Sequence, residues 1–239
     1  MKIVTWNCFS RFDDKAHLIH EMRPDLAVIQ ECAKKDAAAL ECEGYSALWF
    51  GTNEKKGVAV LAASPWKIEQ IAPPENTWIV PIQVSGPVRF VLLAVWAWHE
   101  TNQRYAGYVD QVYEALSSHP EWFDHGPVVA AGDFNSSAEF DRHIKGNNHS
   151  SIVSLFEKRG MTSAYHQFYS EKQGDEKVHT FHHNWDRGNP FHIDYIFIPN
   201  EWRSKLDSMQ VGGVEDWITQ SDHCPLVANF VPFDPVVPV

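Results

Sequence analysis

The sequence has few cysteines, no long apolar run and no secretion signal. Its four cysteines, at positions 8, 32, 42 and 224, form no CxxC pair. Neither a disulfide framework nor a zinc knuckle is therefore indicated, and a reducing, cytoplasmic location is expected. The apolar runs fall well short of the ~20 residues that a membrane helix needs. The opening MKIVTWN lacks the apolar segment of a signal peptide, so we expect no membrane association.

Basic charge is also scarce. There are 20 Lys and Arg residues against 31 Asp and Glu residues, which gives a formal net charge of −11. This balance argues against indiscriminate binding of duplex nucleic acid, because that binding relies on Lys and Arg replacing phosphate counterions. It does not exclude a nucleic-acid enzyme, since divalent cations can neutralise a carboxylate cluster and local basic loops can still contact phosphate. The hydrophobic content of 44% excludes an intrinsically disordered chain.

No linker or repeat divides the chain, so we expect residues 1–239 to form one domain and a monomer. Runs rich in Val and Ile predict strands at 3–6, 26–30, 58–63, 88–96, 128–131, 193–198 and 226–231. Helices are predicted at 14–22, 34–40, 103–116 and 151–159, the last after a serine N-cap. Turn signals within 66–96 predict antiparallel hairpins. This order favours a four-layer α/β sandwich of two mixed β-sheets between outer helices.

Polar residues recur at the ends of the predicted strands. Each alone has an ordinary explanation, because Asn and Gly form turns and Glu favours a helix N-terminus. A carboxylate beside a buried strand is nevertheless costly unless it is paired, hydrogen-bonded or bound to a metal. Since α/β sheets place their sites at strand ends, the repetition indicates one shared site. Its candidate residues are Asn7, Glu31, Asp133, Asn135, Asp194, Asp222 and His223.

Six segments of the sequence stand out, and five of them carry these residues, while KGVAVLA carries none. The six segments are KIVTWN (2–7), PDLAVIQE (24–31), KGVAVLA (56–62), VVAAGDFN (128–135), HIDYIFI (192–198) and SDHCPL (221–226). Together they resemble the endonuclease/exonuclease/phosphatase superfamily, which includes exonuclease III, abasic-site endonucleases, DNase I, neutral sphingomyelinases and inositol polyphosphate 5-phosphatases. The resemblance implies the DNase I-like four-layer sandwich, which the strand and helix pattern also favours.

The resemblance implies a hydrolytic site that depends on Mg²⁺ or Mn²⁺. Glu31 would be the main ligand of the cation, with Asn7 beside it and Asp222 assisting. Such hard cations take oxygen ligands, and they can neutralise phosphate charge and stabilise a leaving alkoxide.

The resemblance also assigns catalytic roles to four residues. Asp133 would position and deprotonate the attacking water, and Asn135 would donate to the scissile phosphate. His223 would stabilise the pentacovalent transition state, and Asp194 would orient His223. A carboxylate beside an imidazole raises its pKa, which keeps it charged to higher pH.

Substrate contacts are predicted at three further positions. Relatives carry a His or Tyr where the strand alignment places Trp96, and an indole cannot replace a charged imidazole. His99, three residues on, is predicted to contact phosphate, although a rim histidine without a role is an equally good interpretation. Trp185 and Arg187 lie in the aromatic, basic segment 181–191, and they are predicted to stack on a base and to contact phosphate. A Gly-Asn-Pro turn with one partly buried Trp is the alternative.

These observations favour a divalent-metal-dependent phosphodiesterase that hydrolyses DNA, as a 3′→5′ exonuclease, an endonuclease or both. One alternative is an enzyme acting on a small, phospholipid or inositol phosphoester, but no amphipathic appendage indicates a lipid surface. Another alternative is a non-catalytic binding module on the same scaffold. That module would be expected to have lost the acidic residues, and all of them are present.

Overall fold

The computed structural model describes residues 1–41, 44–71, 78–98, 106–124 and 126–233. Its strands are β1 (Lys2–Asn7), β2 (Leu26–Cys32), β3 (Tyr45–Asn53), β4 (Lys56–Ala63), β5 (Lys67–Gln70), β6 (Ile79–Ser85), β7 (Phe90–Trp96), β8 (Val128–Asp133), β9 (Met161–Ser163), β10 (Phe181–His182), β11 (Pro190–Phe191), β12 (Asp194–Pro199), β13 (Leu206–Val211) and β14 (Leu226–Phe230). Its α-helices are α1 (Ala16–Met22), α2 (Lys34–Glu41), α3 (Ala106–Ser118), α4 (His149–Lys158), α5 (Ala164–Tyr169) and α6 (Val214–Trp217). No helix in these ranges is long and apolar enough to cross a membrane.

Twelve of these strands form two mixed sheets. Sheet A has the order β13-β14-β1-β2-β4-β3, and sheet B has the order β5-β6-β7-β8-β12-β9. The pairs β1/β2 and β7/β8 are parallel, whereas β5, β6 and β7 form antiparallel pairs. The predicted hairpins within 66–96 are thus confirmed. Because these pairs are parallel, the carboxyl ends of β1 and β2 lie side by side in sheet A, and those of β7 and β8 lie side by side in sheet B. Polar side chains that follow these strands can therefore meet.

Three apolar cores separate four layers. One core lies between the two sheets, one lies between sheet A and the helices α1 and α2, and one lies between sheet B and the helices α3 and α4. The residues of β7 alternate between the inter-sheet core, at Leu92 and Ala94, and the helix-facing core, at Leu93 and Val95. A strand covered on both faces needs apolar residues throughout, which explains its unbroken apolar run. The predicted four-layer sandwich is confirmed.

Helix α4 begins earlier than the sequence predicts. The serine N-cap is wrong, because Asn148 is the N-cap and its side chain accepts a hydrogen bond from Ser151 N. In turn, the Ser151 hydroxyl accepts a hydrogen bond from Asn148 N, which completes a capping box. Asn and Ser are both favoured N-cap residues, and only the backbone geometry shows which one begins the helix. The predicted start of α3 lies outside the described residues.

Gly132 in β8 is required by the close approach of β7. Its φ of +151° is unfavourable for other residues, and an added Cβ would overlap the carbonyl oxygen of Val95. We expect Gly132→Ala to lower the free energy of unfolding by at least about 3 kcal/mol, because the overlapped atom belongs to a buried strand and cannot move away. Gly146 also has a positive φ but has open space around it. In urea unfolding, Gly146→Ala should therefore cost only about 1 kcal/mol, and equal losses would contradict the steric argument.

Candidate active site

Two side chains join the sheets at the site. Asn7 ends β1 in sheet A, and Asp133 ends β8 in sheet B. The Asn7 side-chain amide donates to Asp133 Oδ2 at 3.0 Å. The other end of the same amide, Asn7 Oδ1, accepts from Phe9 N at 3.1 Å. The predicted strand-end residues of the two sheets therefore meet in a single cluster.

Asp133 is the most heavily hydrogen-bonded acid of the cluster. It is 1% exposed, and its Oδ1 accepts from Asn135 N at 2.8 Å. The Asn135 side-chain amide donates to Asp133 Oδ2 at 3.0 Å and to Ala97 O at 2.9 Å. Burial and the nearby charge of Asp194 raise the pKa of Asp133, against the hydrogen bonds that lower it. Asp133 is thus a fixed carboxylate with a greater affinity for a proton than an exposed one has.

His223 and Asp194 form a buried pair beside Asp133. The distance from His223 Nδ1 to Asp194 Oδ2 is 2.9 Å, and both side chains are nearly inaccessible to solvent. The Thr180 hydroxyl holds the start of β12 by accepting from Asp194 N at 3.1 Å. Burial alone lowers the pKa of His223, but the charge of Asp194 and its hydrogen bond outweigh burial, so the pKa is raised overall. The imidazole therefore favours its charged form at neutral pH.

Two further residues, without an assigned role in the sequence analysis, fix His223 against β1. The Ser221 hydroxyl donates to Asn7 O at 2.7 Å and accepts from His223 N at 3.0 Å. The Trp6 indole donates to His223 O at 3.0 Å. Ser221 belongs to the SDHCPL segment and Trp6 to KIVTWN. Their closeness in sequence to His223 and Asn7 was the one indication that they support the site.

Glu31 occupies an irregular position in β2. Pairing between β2 and β4 shifts by one residue between Gln30 and Cys32, and Glu31 has a φ of 61°. A bulge of this kind redirects the side chain at a strand end. Lys56 is the first residue of β4, and its Nζ lies 2.7 Å from Glu31 Oε2. A non-glycine residue with this φ carries conformational strain, which is common at functional sites.

The acidic groups present fit a divalent cation. The buried oxygens Asp194 Oδ1 and Asp222 Oδ1 have no hydrogen-bond partner among the described residues. Burial and the charge of Glu31 raise the pKa of Asp222, against the opposing charge of His223. One ligand atom each from Asp133, Asp194 and His223 lie within 4.8 Å of one another, and the predicted ligands Glu31 and Asp222 are not part of this group. A charged His223 imidazole has no lone pair for a metal. The donors that remain are carboxylate oxygens, which suit a hard cation such as Mg²⁺ or Mn²⁺.

Of the three predicted substrate-contact residues, the structure describes Trp185 and Arg187. His99 lies outside the described residues. Trp185 is 40% exposed, and its ring packs edge-to-face on Phe9, which is 46% exposed, with 5.2 Å between the centroids. Arg187 Nη1 lies 2.7 Å from Glu215 Oε1 on α6. Phe9 is not among the residues predicted for the site, yet it places an exposed aromatic ring two residues from Asn7.

An open cleft adjoins Asn135. It has a volume of about 520 Å³. The ring of Phe181, on one side of the cleft, also contacts His223, with centroids 4.6 Å apart. The other residues that line the cleft are Tyr108, Phe140, His183, Asn189, Phe191 and Ile193. The cleft therefore combines aromatic surface with direct access to the polar cluster.

A buried histidine network supports the segment after Asn135. His149 Nδ1 lies 2.9 Å from Ser136 Oγ, and its Nε2 lies 3.1 Å from Gln173 Oε1. Gln173 in turn contacts His166, whose Nε2 lies 2.9 Å from Glu176 Oε1. Burial lowers the pKa of His149 from 6.5 to about 4. The imidazole is thus neutral in the folded protein.

This network predicts a loss of stability in acid. Between pH 6.5 and about 4 the unfolded chain takes up a proton at His149 and the folded chain does not. Stability should therefore fall as the pH drops through this window, by about 3 kcal/mol from this one group. We expect His149→Gln to remove that part of the pH dependence of urea unfolding. Identical pH dependence for His149→Gln and the wild type would contradict the assignment.

Known proteins share this architecture. The sequence pattern described as the endonuclease/exonuclease/phosphatase family matches residues 4–223. Similar solved structures include the 3′-5′ exonuclease NExo from Neisseria meningitidis, at 23% identity and a TM-score of 0.73, covering 96% of this chain and 99% of that one. A 3′ phosphatase NExo from Neisseria, solved with a product DNA hairpin, gives 22% identity, a TM-score of 0.73, and coverage of 97% and 99%.

An AP endonuclease from Archaeoglobus fulgidus gives 16% identity and a TM-score of 0.69, covering 96% of this chain and 99% of that one. No curated protein matches the sequence significantly. At these identities the solved structures show a shared fold, and the family match extends over most of the sequence. The chain therefore belongs to the endonuclease/exonuclease/phosphatase family.

Proposed function

We propose that this chain is a divalent-cation-dependent phosphodiesterase that hydrolyses DNA, as a 3′→5′ exonuclease, an endonuclease or both. The observation that carries the proposal is the contact of Asn7 and Asn135 with the buried Asp133, next to the His223–Asp194 pair. A buried acid with a raised pKa and a charged imidazole supply the base and the cationic donor that phosphoryl hydrolysis needs.

Asp133 is the proposed acceptor of the proton from the attacking water. Its three hydrogen-bond donors fix its orientation, and its raised pKa favours proton uptake. Asn135 uses both of its side-chain N–H groups on Asp133 and Ala97. We therefore assign Asn135 first to positioning Asp133, while direct donation to the phosphate stays a prediction.

His223 is the proposed donor to the phosphate oxygens. Its Nδ1 is held by Asp194, which leaves Nε2 as the nitrogen that can face the substrate. Asn7, Glu31 and Asp222 are the proposed holders of Mg²⁺ or Mn²⁺. When bound, that cation would supply charge neutralisation at the phosphate.

DNA is the proposed substrate class because aromatic surface adjoins the acidic site. The cleft beside Asn135 and the exposed Phe9–Trp185 pair offer ring faces to nucleobases. A small phosphoester would need neither surface. Arg187 forms an exposed ion pair with Glu215, and its contact with phosphate stays a prediction.

One assay separates the candidate activities. The purified protein is incubated with 3′-labelled and 5′-labelled duplex, single-stranded and abasic DNA, with a 3′-phosphorylated oligonucleotide, and with bis-p-nitrophenyl phosphate. Each reaction contains Mg²⁺, Mn²⁺ or EDTA. Laddering from the 3′ end identifies an exonuclease, and a single cut at the lesion identifies an abasic endonuclease. Turnover of the small ester alone would favour the small-phosphoester alternative, and no turnover at all would favour a binding module.

The Phe9–Trp185 pair predicts a substrate-dependent defect. Trp185→Ala should slow the processing of DNA by about 5- to 150-fold, because stacking on a base is worth ~1–3 kcal/mol. Hydrolysis of bis-p-nitrophenyl phosphate should be unchanged, since that ester needs no stacking. Phe168 on α5 is 42% exposed, similar to Trp185, so Phe168→Ala is a matched control that should leave both activities intact. Equal losses on both substrates would show that Trp185 shapes the catalytic cluster instead.

A further inference from the structure

Lys56 brings a positive charge into the acidic site. Lys56 Nζ lies 2.7 Å from Glu31 Oε2, and its side chain is one-third exposed. Among the described residues, Lys56 is the one Lys or Arg that pairs with a carboxylate of the Glu31, Asp133, Asp194 and Asp222 set. Lys15, which also lies nearby, is buried and donates instead to Cys8 O and Ser10 O.

Two indole rings hold this ammonium in place. Lys56 Nζ lies 4.8 Å from the ring centroid of Trp98 and 5.7 Å from that of Trp96. The two rings stack with centroids 5.3 Å apart. Indole faces attract cations, and the attraction grows when the site is partly desolvated. The position of the ammonium is therefore set by three partners, unlike that of an exposed surface lysine.

The local backbone also places Lys56 at this point. Lys56 is the first residue of β4, opposite the bulge at Glu31 in β2. At the next residue, Gly57, an added Cβ would overlap Phe50 O, so this part of β4 lies tightly against β3. The Lys56 side chain consequently begins from a fixed backbone and reaches the carboxylate that the bulge redirects.

We propose that Lys56 is a second phosphate-binding cation of this site, beside His223, and that it competes with the divalent cation for Glu31. This inference rests on the proposed function. A phosphodiester approaching four carboxyl groups is repelled unless positive charge faces it, and one divalent cation at Glu31 together with the charged His223 balances only part of that negative charge. An ammonium has three N–H donors. Lys56 can therefore bind a phosphate oxygen when Glu31 is taken by a divalent cation, and can pair with Glu31 when it is not.

A purely structural ion pair would behave differently. If Lys56 only held Glu31 in position, its removal would loosen the carboxylate and weaken cation binding. If Lys56 competes for Glu31, its removal should tighten cation binding and still weaken phosphate binding. These opposite directions make the two roles distinguishable without relying on turnover alone.

The test compares Lys56→Met, which keeps an apolar stem over the indoles, with Lys55→Met. Lys55 is exposed and adjacent in sequence, so its substitution removes the same charge outside the site. Mn²⁺ affinity is measured by electron paramagnetic resonance, and inorganic phosphate affinity by calorimetry at saturating Mn²⁺. The values of kcat and KM are measured with bis-p-nitrophenyl phosphate.

For Lys56→Met we expect tighter Mn²⁺ binding and a kcat/KM about 10- to 100-fold lower, the usual cost of losing one charged hydrogen bond. Phosphate affinity should fall together with kcat/KM, and Lys55→Met should match the wild type in all three measurements. Weaker Mn²⁺ binding, or unchanged phosphate affinity, would overturn the proposal. If Lys56→Met fails to fold by circular dichroism, Lys56→Gln is measured in the same way.

Failure of the proposed function would be recognised separately. If the wild type hydrolyses no ester, the function proposed above is wrong. The Mn²⁺ and phosphate affinities would still decide the role of Lys56 as a competing, phosphate-binding cation. Unchanged affinities in Lys56→Met would then overturn this inference too.

Discussion

Asp133→Asn should lower kcat for DNA and for bis-p-nitrophenyl phosphate by roughly 10²–10⁴-fold, the usual range for losing a general base. The substitution keeps the side-chain shape and removes the ability to accept the proton, and it replaces one acceptor oxygen by an N–H donor that faces the amide groups of Asn7 or Asn135. The folded state should survive, because burial makes the charged carboxylate costly and its replacement by a neutral amide offsets the hydrogen bonds that are lost. Single-turnover kinetics and thermal unfolding measure the two effects independently.

The exposed carboxylate of Asp207 on β13 provides the matched control, since Asp207→Asn makes the same chemical change outside the site. It should leave both kcat and the unfolding temperature unchanged. If Asp133→Asn retains more than about a tenth of wild-type kcat while remaining folded, Asp133 does not accept the proton.

The Asp194–His223 pair should behave as one catalytic unit. Asp194→Asn and His223→Ala are each expected to reduce kcat by about 10²–10³-fold, because each removes the charged donor that faces the developing negative charge. The double variant should lose far less than the product of the two single losses. Single losses that multiply would show that the two residues act independently and that His223 needs another role.

The pH profile gives the same pair a second test. Asp194 raises the pKa of His223, so the imidazole stays charged until the pH rises through that raised value. Without the carboxylate, burial dominates and lowers the pKa. The alkaline limb of kcat in Asp194→Asn should therefore move to lower pH. The pair also stabilises the fold below the ordinary histidine pKa of 6.5, and this stabilisation is lost as the pH rises through the raised value. An unmoved alkaline limb would contradict the pairing.

The strands and the general location of the site could be predicted from the sequence. Runs of Val and Ile mark β2, β7 and β8 because a strand buried on both faces must be apolar throughout. A polar residue directly after such a run is costly without a partner. Asn7 and Asp133 follow such runs and Asp194 opens one, so all three were recognisable before any contact between them was known. The turn signals before β7 likewise predicted the hairpins.

Helix boundaries and substrate contacts were less predictable. A cap depends on backbone dihedrals and on which of two polar neighbours reaches the free N–H groups, so the choice of Asn148 as the N-cap of α4 was not evident. The ring contact between Phe9 and Trp185 joins two loops far apart in sequence. No local pattern encodes such a contact.

By itself the sequence determined the alternation of strands and helices, the two-sided burial of the central strands and the set of acids at their ends, because each depends on local hydrophobicity and spacing. Only the tertiary structure decided how the sheets meet. The hydrogen bond from Asn7 to Asp133 depends on the relative position of sheets A and B. The Glu31–Lys56 pair depends on a bulge and a positive φ. Long-range register and backbone conformation set these contacts, and both are fixed only when the whole core packs.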